Sequence, residues 1–176
     1  SKEEKARLSI LITHIEKFIM NFLKELIFLR HLSIGEVRKS KRLESSEVLD
    51  EYGSNLVPIL YTLQQRHGGL PQRIVTALNS LFPGIRIGIE LLKDGRAYLS
   101  MYEGANKYAS PGLPDGLLKL LSLLAAIELK PSLLLIDELE NSMHARFLEY
   151  VIDELNSIET PVLVATHSPI VVDLVD

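Results

Sequence analysis

The sequence predicts an α/β fold organised around parallel strands, and three observations carry that expectation. The runs "SLLLID" from Ser132 and "PVLVATH" from Pro161 are apolar rather than alternating, the mark of strands covered on both faces. Between them, "MHARFLEYVIDELNSIE" places Phe147, Val151, Ile152 and Leu155 on one face of a helix. Strand, helix and strand within about 35 residues form a βαβ unit, with parallel strands and a right-handed crossover.

The remaining elements follow in order. Residues 3–32 contain neither Gly nor Pro, and Leu8, Leu11, Ile15, Phe18, Phe22, Leu26 and Leu29 recur every three or four positions. This spacing predicts a helix of about 28 residues. Ile10, Ile12, Ile19, Met20, Leu23 and Ile27 widen the stripe beyond a coiled-coil seam, so core packing is expected. "IGEVRKSKRLESSEVLDEYG" reads as an irregular polar stretch. Ser54 or Asn55 caps a helix with Pro58 in its first turn; Pro71 opens a second helix, and Pro83-Gly84 closes it. "IRIGIELL", an Asp94-Gly95 turn and "AYLSMYE" give a β-hairpin at about 85–103. A helix from 117 to about 129 is apolar almost all round and therefore buried, and Ser168-Pro169 starts the last helix. The organisation is a helical, hairpin-bearing segment over 1–111, then the parallel-strand segment over 112–176.

Composition removes several function classes. At 176 residues and 47% apolar, the chain has enough material for one folded core. No apolar run reaches the roughly 18 residues of a membrane helix, and "SKEEKARLSI" is not a secretory leader. With no cysteine, disulfides and thiolate metal sites are excluded, and a cytoplasmic setting is expected. A net charge of −4 gives no global pull toward nucleic acid. The local cluster "VRKSKR", with Arg38, Lys39, Lys41 and Arg42, reads as a solvated loop, a phosphate or DNA contact being the alternative. The chain starts at Ser1 and ends "VVDLVD", and it reads as a piece of something longer.

In open parallel sheets, ligands bind beyond the carboxyl ends of the strands. Asp137 and Glu138 close one strand; Thr166 and His167 close the next. Neighbouring strands would gather all four at one edge. Successive strand residues point to opposite faces, so the two carboxylates are expected to divide labour. One can hold a hard cation such as Mg²⁺, and the other can orient or deprotonate water. A histidine beside them can stabilise charge on a transferred phosphoryl group.

These residues resemble a family. "SLLLIDELE" resembles the Walker B strand of ABC-type ATPases, with the catalytic glutamate directly after the magnesium-associated aspartate. "LPDGLLKLLSLL" is similar to the signature motif and its helix, "VLVATHSP" to the histidine-switch strand, and "DELENSMH" to the D-loop segment of the RecF, SMC and OLD-like branch. "EYGSNLVPIL" resembles the "DGSNL" stretch between the two halves in that branch. The resemblance implies a partial P-loop NTPase sheet, with residues 112–176 the C-terminal half of a nucleotide-binding domain. It implies ATP and Mg²⁺ as cofactors, Asp137 at the metal, and Glu138 and His167 as the catalytic pair. Leu113, Pro114, Asp115 and Gly116 would face a nucleotide held by a second subunit in a head-to-tail homodimer. Asn141, Ser142 and His144 would lie at the dimer seam. DNA is a possible further partner.

The pattern departs from the family at two points. Pro114 stands where the signature has serine, removing a hydroxyl and a backbone donor. No GxxxxGK followed by Ser or Thr occurs within the 176 residues. An N-terminal Walker A half is therefore expected as a partner, and ATP hydrolysis is expected of the completed domain. Gln64, Gln65 and Gln72 are equivalent candidates for the glutamine loop, and His14, His31 and His67 are expected to be structural. Two alternatives stand beside the ATPase. One is a regulatory or interaction module that does not hydrolyse. The other is a metal-dependent hydrolase using Asp137, Glu138, Glu140, His144 and His167.

Overall fold

The computed structural model describes residues 2–141 and 143–175. A long helix, α1 (Lys2–Lys24), leads into strand β1 (Ile27–Leu29), the short helix α2 (Ile34–Val37) and strand β2 (Lys41–Arg42). Helices α3 (Leu56–His67) and α4 (Gln72–Leu81) precede strands β3 (Ile85–Leu91), β4 (Arg96–Glu103) and β5 (Asn106–Ala109). A 3₁₀ turn at Ser110–Gly112 feeds α5 (Asp115–Glu128), followed by β6 (Leu134–Asp137), α6 (Ala145–Asn156), β7 (Val162–Ala165) and α7 (Pro169–Leu174).

Two sheets result. One is fully parallel in the order β1-β6-β7, with Leu29 opposite Ile136 and Asp137 opposite Ala165. The other is antiparallel. In it β4 pairs with β3 along one side and with β2 and β5 along the other. The expected βαβ unit is β6-α6-β7, and the expected hairpin is β3-β4.

The first helix is shorter than its periodicity predicts, and the reason is tertiary. Ser132 donates its hydroxyl to Phe22 O at 2.5 Å and its N–H to Glu25 O at 3.1 Å. Ile27 N–H then donates to Leu133 O at 3.0 Å, which turns the chain from helix to strand. Ile27 and Leu29 are buried in the sheet as β1. The expected core packing of α1 is also overturned. Leu8, Ile15 and Phe18 stand in solvent, Phe18 at 70% exposed.

The core is organised by α5. Every residue from Leu117 to Ile127 is buried, and the helix packs against α2, α3, α4 and α6. Each fully buried leucine contributes about 1.5–3 kcal/mol relative to exposure, so this helix dominates the burial term. One apolar cluster takes residues from both sides of position 112, among them Ile27, Leu60, Ile74, Leu99, Leu120 and Ile136. β7 is the exception to the predicted coverage on both faces. It alternates half-buried and exposed, with Leu163 at 66% exposed, because it forms the edge of the described sheet.

Asn55 does take the N-cap position of α3, without a side-chain capping bond. Its carboxamide instead accepts from Asp50 N at 2.9 Å. No helix among the described residues is long and apolar enough to cross a membrane.

Candidate functional site

The parallel register brings the tips of β6 and β7 together. Asp137 lies opposite Ala165, and the pairing continues one residue further, where Glu138 N–H donates to Ala165 O at 2.9 Å. There the strand stops, because Glu138 adopts φ +50°. This left-handed conformation is uncommon for a residue with a side chain and is held only where the surroundings over-determine it. At this strand end Ile136, Asp137 and Glu138 all line one cavity of about 300 Å³.

The opposite wall of the cavity comes from the segment after β1. Arg30, His31, Leu32, Ser33 and Ile34 line it, and the "DEYGSN" turn holds it in place. Arg30 N–H donates to Glu51 O at 3.0 Å, and Ser33 N–H donates to Tyr52 O at 2.9 Å. The turn is itself organised by the Asp50 carboxylate, which accepts from Tyr52 N, Ser54 N, Ser54 Oγ and Asn55 N. Gly53 is required at its apex. Its φ is +67°, and a Cβ there would lie 2.4 Å from Leu32 Cδ2. Gln64, Gln65 and Gln72 do not line the cavity. The polar residues on its β1 side are Arg30, His31 and Ser33.

The floor is charged. Lys119, 7% exposed on α5, donates its ammonium to Glu138 O at 2.8 Å and to Asn141 O at 2.7 Å. Burial pulls its pKa down to about 8, with the charges of Glu140 and Glu138 acting in the opposite direction. Asn141 N–H closes the turn on Glu138 O at 3.0 Å, and its side-chain amide reaches Glu138 Oε2 at 3.4 Å.

His167 follows β7 and is exposed. Its N–H donates to Glu140 Oε1 at 2.8 Å, while Thr166 Oγ1 donates to Glu140 Oε2 at 2.7 Å. Burial raises the Glu140 pKa, but the Thr166, backbone and Lys119 interactions outweigh it and leave the carboxyl below its ordinary value. Among the described residues, no three His, Asp or Glu side chains converge as a metal-binding group.

The signature-like residues sit at the start of α5. The side chain of Leu113 is 1% exposed and belongs to the core. Pro114 occupies the N-cap, while Pro114 and Asp115 are exposed and Gly116 is half-buried. Arg38 reaches across to donate to Leu113 O and to Asp115 Oδ1, both at 2.5 Å. Lys39 and Lys41 pair with Glu36. Much of the basic cluster is thus engaged within the chain. His144 is exposed and caps α6, where its Nδ1 accepts from Arg146 N at 3.3 Å. Ser142 lies outside the described residues.

Sequence reasoning missed Lys119, Arg30 and His31, and it gave Glu140 only to the metal-hydrolase alternative. A lysine within the apolar run "GLLKLLSLLAAI" was a usable signal for the first, since a buried ammonium needs partners.

Two solved structures share this fold. One comes from work on ATP-driven dimerization and DNA-stimulated activation of SMC ATPases. It has TM-score 0.51 and 16% identity, and the match covers 66% of this chain and 78% of that one. The other is an SMC head bound to the C-terminal winged-helix domain of ScpA. It has TM-score 0.59 and 14% identity, with 86% of this chain and 50% of that chain covered. The chain therefore spans half the length of that head. No functionally curated protein matches. The family described as "AAA domain, putative AbiEii toxin, Type IV TA system" matches residues 21–173. The parallel sheet, the strand-end carboxylates and this match agree: the chain belongs to that AAA-domain family and has the fold of an ABC-type ATPase of the RecF/SMC-like branch.

Proposed function

We propose that this chain forms the Walker B, signature and histidine-switch part of an Mg²⁺-dependent ATPase that hydrolyses ATP across a head-to-tail dimer. The observation that carries the reading is the joint ending of β6 and β7, with Asp137 opposite Ala165 and Glu138 tied to Ala165 O at 2.9 Å. Asp137 and Glu138 line a cavity that also presents Arg30, His31 and Lys119, a donor-rich set suited to phosphate.

A strand-end carboxylate fits Mg²⁺, which usually takes one or two carboxylates plus phosphate oxygens. Asp137 would hold it, and the ion would neutralise charge on the triphosphate. Glu138 accepts a proton from, or orients, the attacking water, and His167 donates a hydrogen bond to the phosphoryl oxygens. Leu113, Pro114, Asp115 and Gly116 face the nucleotide of the second subunit, with Asn141, Ser142 and His144 along the seam.

The N-terminal Walker A half supplies the phosphate-binding loop. The free edge of β7 supports its place of docking. Beside it lies an apolar groove of about 470 Å³ lined by Leu163, Val164, Val171 and Val172, suited to the next parallel strand.

The decisive experiment is ATP turnover and ATP binding by the intact protein carrying Glu138→Gln. Turnover should fall by about 100-fold or more while binding survives. Unchanged turnover would remove Glu138 from the mechanism. Pro114 at the signature serine position favours one second reading, a nucleotide-responsive module without hydrolysis. ATP binding with no turnover in the unsubstituted protein would establish that reading instead.

A further inference from the structure

Asp137 and Glu138 line one cavity where the backbone leaves the strand at Glu138, and four contacts hold it there. Glu138 N–H is fixed by Ala165 O at 2.9 Å. Glu138 O is fixed from the other side by Lys119 Nζ at 2.8 Å and by Asn141 N–H at 3.0 Å. Lys119 Nζ also holds Asn141 O at 2.7 Å, so one ammonium clasps both ends of the turn from 138 to 141. A side chain at φ +50° needs such determination, since the left-handed region disfavours any residue bearing a Cβ.

The chemistry of the clasp is specific. Lysine offers three donors on a compact charge, so one ammonium can serve two carbonyls at once. Its neighbours Leu117, Leu118, Leu120 and Leu121 are fully buried, so the position is one where an apolar residue would ordinarily fit. A buried charge costs free energy unless paired, and the two carbonyls are its partners in the structure. We propose that Lys119 is a positioning residue that holds Glu138 in its left-handed conformation and so fixes where the Glu138 carboxylate sits at the strand end. This also links α5, which begins at the signature-like residues, to the turn that carries the water-polarising group. The inference rests on the reading of Glu138 given above, and the experiment separates the two.

The test uses the intact protein with Lys119→Met, which keeps length and removes charge, and Lys119→Arg, which keeps donors. Lys119→Met should lower kcat by about 100-fold with ATP affinity nearly unchanged, because misplacement of a catalytic group acts on the chemical step. Lys119→Arg should recover a substantial part of that loss.

Two further measurements need no turnover. Amide exchange at Asn141 should accelerate about tenfold in Lys119→Met while the β6 amides keep their protection. The fall in Tm caused by Lys119→Met should also be smaller in a Glu138→Gly background than in a Glu138→Ala background, because glycine does not need to be held at positive φ. Burial of a charge with no positioning role would not distinguish those backgrounds.

Wild-type kcat in Lys119→Met, unchanged exchange at Asn141, or equal Tm losses in the two backgrounds would each overturn the proposal. An unsubstituted protein that turns over no ATP would sink the ATPase reading, leaving exchange and Tm to judge Lys119. If Lys119→Met does not fold, Lys119→Gln carries the same comparisons.

Discussion

The carboxylate of Glu140 accepts the backbone N–H of His167 at 2.8 Å, so the residue after β7 is oriented by one from the loop after β6. The other oxygen of Glu140 accepts from Thr166 Oγ1 at 2.7 Å, and that hydroxyl oxygen accepts from Ser168 N at 3.0 Å. The two strand tips are therefore joined by side-chain chemistry as well as by the sheet. Glu140→Ala takes this acceptor from the His167 amide and is expected to cost about 1–3 kcal/mol of stability. Glu140→Gln keeps an amide oxygen able to accept one of the two bonds and should cost less. Urea denaturation of both variants checks this, and equal losses would show that the charge of Glu140, rather than its acceptor geometry, joins the tips.

The elements legible in the sequence were those whose pattern is local. The period of α6, the apolar run of β6 and the Asp94-Gly95 turn each carry their own instruction, and each is found in place. β1 was not legible, because the end of α1 is set by Ser132, far along the chain. Phe28 and its neighbours share the apolar character of the helix before them, so no change of pattern marks the boundary. The placing of Asp137, Glu138 and His167 at two neighbouring strand ends was legible, because each follows a short apolar run. The left-handed backbone of Glu138 was not, since the alternation rule applies to extended backbone and Glu138 is not extended. The carbonyl partners of Lys119 and Arg38 were not legible, because backbone groups leave no trace in side-chain composition.

The antiparallel sheet gives a pH-dependent prediction. The ammonium of Lys107 beside Glu90, then the hydroxyl of Tyr102, hold the Glu90 carboxyl down to about 2, against 4.5 for an ordinary glutamate. Lys107 Nζ lies 2.9 Å from Glu90 Oε2, and Ser100 Oγ donates to Oε1 at 3.0 Å. A carboxyl depressed in the folded state binds fewer protons there than when unfolded. Its contribution is thus fully present above pH 4.5 and is lost as pH falls toward 2. Glu90→Gln should therefore lower stability at neutral pH and flatten the acid limb. Urea midpoints from pH 7 downward check the sign, and a gap between variant and wild type that persists undiminished at pH 2 would overturn it.

The contrast between α1 and α5 yields the sharpest energetic expectation, because both helices carry large apolar residues and their surroundings in the fold are opposite. Leu121 on α5 is fully buried within the core, and its truncation removes contacts on every side. Leu121→Ala is expected to cost about 2–5 kcal/mol, the range for a large-to-small change at a packed site. Phe18 on α1 is 70% exposed, and a change there removes little packing. Phe18→Glu is expected to alter stability by about 0.5 kcal/mol or less, as surface substitutions do. Urea denaturation of the 176-residue chain at low concentration compares them directly. A cost for Phe18→Glu approaching that for Leu121→Ala would mean that α1 is buried in solution, and the exposed helix described here would have to be abandoned.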